Sequence, residues 1–410
     1  MSAPPPSETS AVVREDPPEL WEDEVAEVAG APFTALETAS ALSLGVLCLV
    51  GAGVMGILLS ALVDEHRLTA AGIGRTAMLE ALSMGLSTGL AGIVLKPKRL
   101  RLIALAASIL LVGANLATLH ASGGSVYAVR TLAGIPEGVL LWIAVGLISR
   151  TATPERWAAV LFTGMGVTQL IAATAVSAYA LPRFGANGGY ATLAAASAIC
   201  IVFALFTPSR YGVVPGAENA ASGAPPPRGW IALIGTVGFT APLSGVGVYL
   251  IPLAREAGLH ADLGRTAVSV SLACQILGGA AATALAGKVR YIHVFWGASL
   301  IFLLGWATYA VHAPGWWFVV VSGLGGLAGM MAGPFLVPMT IEADPSRRAV
   351  VQSGAVQVLA GALGPFLASL VVSNSDVHGV LILGTCLLVP GLAVITALHR
   401  IAVVEARRAA

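Results

Sequence analysis

Charge is what this 410-residue chain has least of. Only 10% of its residues are charged, aromatics supply 6%, and 57% are hydrophobic. Soluble domains carry about a quarter charged residues, so this composition excludes an ordinary soluble domain. The formal net charge of +1 leaves no basic excess for a nucleic-acid partner, and none is expected. The four cysteines (Cys48, Cys200, Cys274 and Cys386) are scattered through apolar runs. Neither a disulfide framework nor metal-ligand spacing appears among them, so they are packing residues. HExxH, Gly-x-Ser-x-Gly and a phosphate-binding glycine loop are all missing. The chain is therefore not expected to be an enzyme or to need a cofactor.

What the chain does have is long apolar runs. About twenty apolar residues cross a bilayer as a helix. Such runs are predicted near 38–63, 71–95, 102–120, 125–149, 155–180 and 188–207. A second set is predicted near 230–254, 264–287, 291–312, 315–341, 349–373 and 379–402. The fold class is thus an all-α membrane protein of about twelve helices in two sets of six. Residues 1–36 form an acidic tail, with eight carboxylates and one arginine (Arg14) among the first 30 residues. Such a composition lacks the basic start and apolar middle of a signal peptide and reads as a disordered cytoplasmic tail. The expected divisions are a bundle over 37–208, a Gly/Pro-rich linker over 209–229, a second bundle over 230–403 and a short tail over 404–410.

Loop charges give the orientation. Fifteen basic residues, among them Lys96, Lys98, Arg99, Arg101, Arg210 and Arg228, fall on the side of the linker. Five (Arg67, Arg75, Arg183, Arg255 and Arg265) fall on the other. Both termini are expected in the cytoplasm, with the chain crossing the inner membrane many times.

The halves repeat. GRTA recurs at 74–77 and 264–267, and TPERWAAV at 153–160 is answered by DPSRRAVV at 344–351. The two offsets agree to within one residue. Parallel six-helix repeats belong to transporters that rock two halves about a midplane site. On this repeat, topology and linker, the chain after about residue 35 resembles the major facilitator superfamily. Arg130 and Gly134 match the Arg-x-x-x-Gly motif of that family's fourth helix. The longer string through Glu137 and Gly138 resembles its organic-anion symporter branches. The loop after helix two, GLAGIVLKPKRLRL, lacks the family's aspartate and second glycine. Helix five lacks the Gly-Pro motif of drug:proton antiporters.

Charged residues inside a membrane mark function. Arg130 and Glu137 share a helix face about 10 Å apart along the axis, so each is expected to find another partner, and Glu80 is a candidate partner for Arg130. Desolvation favours the neutral form of a carboxyl, which makes Glu137 and then Glu80 the candidate proton carriers. Arg130 offers a planar fork for a carboxylate. A structural ion-pair network is the competing reading. Tyr249, Gln169, Gln275 and Gln357 complete the candidate substrate contacts. Pro136, Gly134, Gly138, Pro242, Pro252, Pro334 and Pro338 are the candidate gating positions and helix breaks.

The expected function is a secondary transporter of a small organic solute, an organic anion foremost, driven by the proton gradient through alternating access. Efflux of amphipathic compounds and a non-transporting sensor are the alternatives. The expected partners are the lipid bilayer and a small-molecule substrate, and the expected state is a monomer.

Overall fold

Why apolar runs become helices in this chain follows from the bilayer, where backbone groups find no water and must pair within their own segment. A computed structural model describes residues 33–96, 98–151, 154–211, 224–285, 288–311, 313–346, 348–374 and 376–409. The acidic tail to residue 32, most of the linker and Ala410 lie outside the described residues. Twelve long helical segments are present among those described. They are α1 (Ala35–Asp64), α2 (Ala70–Val94), α3 (Leu100–Thr118), α4 (Gly124–Ile148), α5 (Pro154–Ala175, then a π-helical turn Val176–Ala180) and α6 (Leu181–Phe206). After the linker come α7 (Pro227–Val248 and Leu250–Glu256), α8 (Ala261–Leu285), α9 (Tyr291–Tyr309), α10 (Gly315–Ala343), α11 (Arg348–Val371) and α12 (Gly379–Ala409). Helices α5 and α6 run together as one stretch that turns at Gly185, whose φ of 59° suits glycine.

Alternating direction puts the two ends of the molecule in different company. The linker end holds the start of α1 and the turns α2–α3, α4–α5, α8–α9 and α10–α11. The far end holds the turns α1–α2, α3–α4, α5–α6, α7–α8, α9–α10 and α11–α12. At the far end Arg67 gathers three loops. Its guanidinium donates to the carbonyls of Thr118, Leu119 and Ala121, and to Asn187 at 2.7 Å.

Small residues decide which helices pack closest. A methyl group added at Gly134 would overlap the Ser83 hydroxyl and Glu80 carbonyl; one at Gly138 would overlap Ser87 and the Met84 carbonyl. Helix α4 therefore lies directly on α2. In the second half, Gly278 faces the Leu327 backbone and Gly326 the Ser271 backbone in the same way, so α8 lies on α10. Close backbone approach of this kind is how membrane helices associate without a hydrophobic drive. Contacts of α2 with α11 and of α5 with α8 join the halves.

The breaks differ from the sequence expectation. Pro136 and Pro242 sit inside uninterrupted helices. A proline removes one helical hydrogen bond, and in a packed membrane helix neighbouring groups can re-satisfy it without a break. Pro252, Pro334 and Pro338 do lie at breaks, within the first turn of the segment that follows each, where the missing N–H would have had no helical partner. Helix α1 breaks at Leu49 with no proline nearby in the sequence.

Candidate functional site

Helix α4 carries the arginine, and four helices supply its surroundings. Arg130 is 1% exposed and Glu80, on α2, is 2% exposed. The Arg130 fork grips Glu80 with both arms: Nε donates to Oε2 at 2.8 Å, and the second guanidinium nitrogen donates to Oε1. Its other nitrogen donates to Asn115 Oδ1 of α3 at 2.8 Å, and Asn115 in turn donates to Ser197 Oγ of α6 at 3.0 Å. The ring of Tyr190, also on α6, lies against the guanidinium, 5.4 Å from centroid to carbon. Burial makes this cation–π contact stronger than an exposed one. The Tyr190 hydroxyl is itself buried and has no hydrogen-bond partner among the described residues.

Glu137 is the third charged member. Its Oε1 lies 4.0 Å from the Arg130 guanidinium, closer than the spacing along the helix axis implies, because the long arginine side chain bridges the two turns. That distance is an electrostatic contact and not a hydrogen bond. Glu137 falls near the middle of the 25-residue α4, and at 6% it is the most exposed of the three. The break in α1 brings Gly51 beside both acids: a methyl group there would stand 3.4 Å from Glu137 Oε1 and 3.9 Å from Glu80 Oε1.

Two carboxyls therefore share one guanidinium away from water. A net negative charge buried this way is costly, and the cheapest relief is one proton. Glu80 is committed to a two-armed charge-assisted pair with Arg130. Glu137, at 4.0 Å and without a hydrogen bond to it, has the weaker hold on Arg130.

The remaining candidates separate. Gln169 on α5 is buried and donates through Nε2 to the Leu49 carbonyl at 2.8 Å. It thus satisfies the backbone where α1 breaks, and it packs over Gly53. Tyr249 is fully buried at the break in α7, and its hydroxyl accepts the Gly74 N–H of α2 at 3.0 Å. Gln357 is half-buried on α11. Gln275 lines a cavity of about 380 Å³ between α7, α8, α9 and α10. With it stand Thr240, Ser244, Ser271, Trp306 and Tyr309, and no charged side chain. Glu342, at the linker end of α10, accepts from Tyr291 at 2.8 Å and lies 2.8 Å from His399 Nδ1.

Sequence reasoning missed Gly51, Ser197 and Tyr190. Tyr190 follows a Gly188–Gly189 pair in an otherwise small-residue helix entry, which was the available signal. The helix-one break left none.

Contacts between the halves fall at the far end. Asp64 and Arg255 form a two-armed ion pair, Ala70 N–H donates to Asn374 at 2.9 Å, and Gly74 meets Tyr249. Glu256 holds the Asn374 loop from below, accepting Val377 N–H and facing His378 Nδ1, each at 2.9 Å. Among the described residues, no hydrogen bond or ion pair joins the halves at the linker end.

No protein-family model and no curated protein matches the sequence. Solved structures match the fold. The nucleoside transporter NupG aligns with a TM-score of 0.67 at 16% identity, covering 89% of this chain and 99% of that one. A bacterial homologue of the human lysosomal transporter Spinster, crystallised inward-facing, aligns in its occupied and unoccupied forms with TM-scores of 0.64 and 0.66. Both are at 14% identity and cover 90% of this chain and 98% of that one. Identities this low establish the fold, which is the twelve-helix major facilitator fold.

Proposed function

We propose that the chain is a secondary transporter that works by alternating access and couples a proton to the passage of a small organic solute. The observation that carries this reading is the Glu80–Arg130–Glu137 cluster, one cation shared by two buried carboxyls on α2 and α4. A proton gained or lost at such a site changes the charge beside Gly51 on the broken α1. The far-end contacts support a state closed on that side. With the linker cytoplasmic, as the loop charges imply, that state faces inward.

The solute class follows from where Arg130 is spent. Its fork is filled by Glu80, so a carboxylate solute reaches it by displacing the Glu80 carboxylate while Glu137 holds the proton. Anion and proton would then enter together. A second reading rests on the cavity in the C-terminal half, whose hydroxyl, amide and aromatic lining suits a neutral polar solute with a flat apolar face.

Uptake into proteoliposomes under an imposed pH gradient separates the readings. Labelled carboxylates and neutral polar solutes are compared, each with Gln275→Leu. The anion reading expects pH-driven carboxylate uptake that Gln275→Leu leaves intact. The neutral reading expects pH-driven uptake of an uncharged solute that Gln275→Leu impairs. Ligand binding without flux of any solute would contradict transport and leave a sensor.

A further inference from the structure

At the linker end of the N-terminal half lies a cluster of cations with one described counter-charge. Lys96, Lys98, Arg99, Arg101 and Arg210 are all exposed. An antiparallel bridge sets Lys98 beside Arg210, although like charges placed opposite each other destabilise a strand pair. The arrangement is held firmly. Leu100 N–H donates to the Ser209 carbonyl at 3.0 Å, Arg101 Nε donates to the Thr207 carbonyl at 2.6 Å, and the Tyr211 hydroxyl donates to the Ile143 carbonyl at 2.6 Å. Among the described residues, Glu37 is the carboxylate that reaches this face, 3.8 Å from Arg101.

Glu37 also shows where the preceding chain emerges. It closes a capping box with Thr34 on the first turn of α1, and the Phe33 ring packs edge-on against Tyr211 at 5.7 Å. The preceding segment, with its eight carboxylates and single arginine in residues 1–30, therefore starts at the border of the cationic face. Glu22, Asp23, Glu24 and Glu27 lie within about a dozen residues of that point, a reach of up to roughly 40 Å when extended. Arg101 of this face, 3.8 Å from Glu37, lies well inside one Debye length of it.

We propose that the acidic segment before residue 31 docks on this face and supplies its missing negative charge. Binding is electrostatic, needs no fixed fold of the segment, and places it across the α2–α3 turn and the start of the linker. An anionic bilayer surface is the competing occupant. The segment is favoured because its attachment point is built into the face, through Phe33 on Tyr211 and Glu37 on Arg101.

The lysines make the test direct, since the chain has three: Lys96, Lys98 and Lys288. The full-length protein in phosphatidylcholine nanodiscs is treated with a zero-length carbodiimide, and carboxyl–lysine links are mapped by mass spectrometry. Links from residues 22–27 to Lys96 or Lys98 are expected at least ten-fold above links to Lys288. Replacing Glu22, Asp23, Glu24 and Glu27 by their amides should remove them, as should ~0.5 M salt, where the screening length falls to a few ångströms. Absence of the links, or equal yield at Lys288, would overturn the proposal. So would links that vanish when a quarter of the lipid is phosphatidylglycerol, which would assign the face to the bilayer.

Discussion

The two halves share a scaffold and differ in what they bury. Aligned on the 191-residue offset of TPERWAAV and DPSRRAVV, Gly134 and Gly138 of α4 fall on Gly325 and Gly329 of α10. Arg130 and Glu137 fall on Val321 and Ala328. Gly325 and Gly329 nonetheless stand nearest Phe302 of α9 and Leu243 of α7, and Gly326, one position on, is the glycine that lets α10 lie on α8; both charges are replaced by apolar side chains. Among the described residues, no helix of the C-terminal half buries a charged side chain, and its polar groups line an uncharged cavity instead. Close packing is the common inheritance of the repeat. Among the described residues, buried charge within a helix belongs to the N-terminal half alone; on the proposed function that half takes the proton and the other is free to specialise for a solute.

The strongest way to break this comparison is to remove the cation. Arg130→Ala leaves two buried carboxyls without a partner and should cost about 3–5 kcal/mol, seen as loss of folded protein in detergent. Arg130→Met combined with Glu80→Gln and Glu137→Gln removes all three charges, imitates the C-terminal half, and should recover most of that stability. If the triple variant unfolds as readily as Arg130→Ala, the charges are needed for the fold and the halves are not equivalent scaffolds.

A smaller effect sharpens the same contrast at the edge of the C-terminal half. Asp344, in the α10–α11 turn, is a buried carboxylate with full satisfaction. Oδ1 accepts from the Ser346 N–H at 3.0 Å and hydroxyl at 2.5 Å, and Oδ2 accepts the Ala349 N–H at 2.8 Å. Burial alone would raise its pKa, but these hydrogen bonds and one from Arg348 N–H outweigh it and hold the group below its usual range. A depressed folded-state value stabilises above the ordinary carboxylate pKa, and the contribution fades as pH falls through the folded value. Asp344→Asn should therefore cost about 1 kcal/mol at neutral pH, and its melting temperature should converge with that of the parent in acid. A constant difference across pH would refute the cap.

The architecture was legible because bilayer helices announce themselves by apolar length, and the charge asymmetry of loops such as KPKRLR supplied an expected orientation. The observed helices begin and end within a few residues of most of the predicted spans, α6 and the extended α12 being the exceptions. Glu80, Arg130 and Glu137 were legible because charge is so scarce that each stands out. Their pairing was only partly so: axial rise gives the distance between two turns, but not how far an arginine reaches. Tyr190 and Gly51 depend on which helix faces inward and where α1 breaks, and neither is written in local composition. Gln169 and Tyr249 show the limit plainly. A polar group in a span gains by bonding to whatever is near, and in this structure both bond to backbone, one at a helix break and one across the far-end contact.

On the proposed function Glu137 carries the proton that governs which side is open, and this can be measured without knowing the solute. Spin labels are placed across the linker end, at the exposed positions Val94 and Thr283 with native cysteines replaced, and the distance distribution is followed by pulsed spectroscopy from pH 5 to pH 9. The parent protein should shift between a wide and a narrow population as pH changes. Glu137→Gln should remain in one population throughout, while keeping the parent's yield and melting temperature. A Glu137→Gln protein that shifts with the parent's pH profile would contradict the account and return the cluster to a structural role.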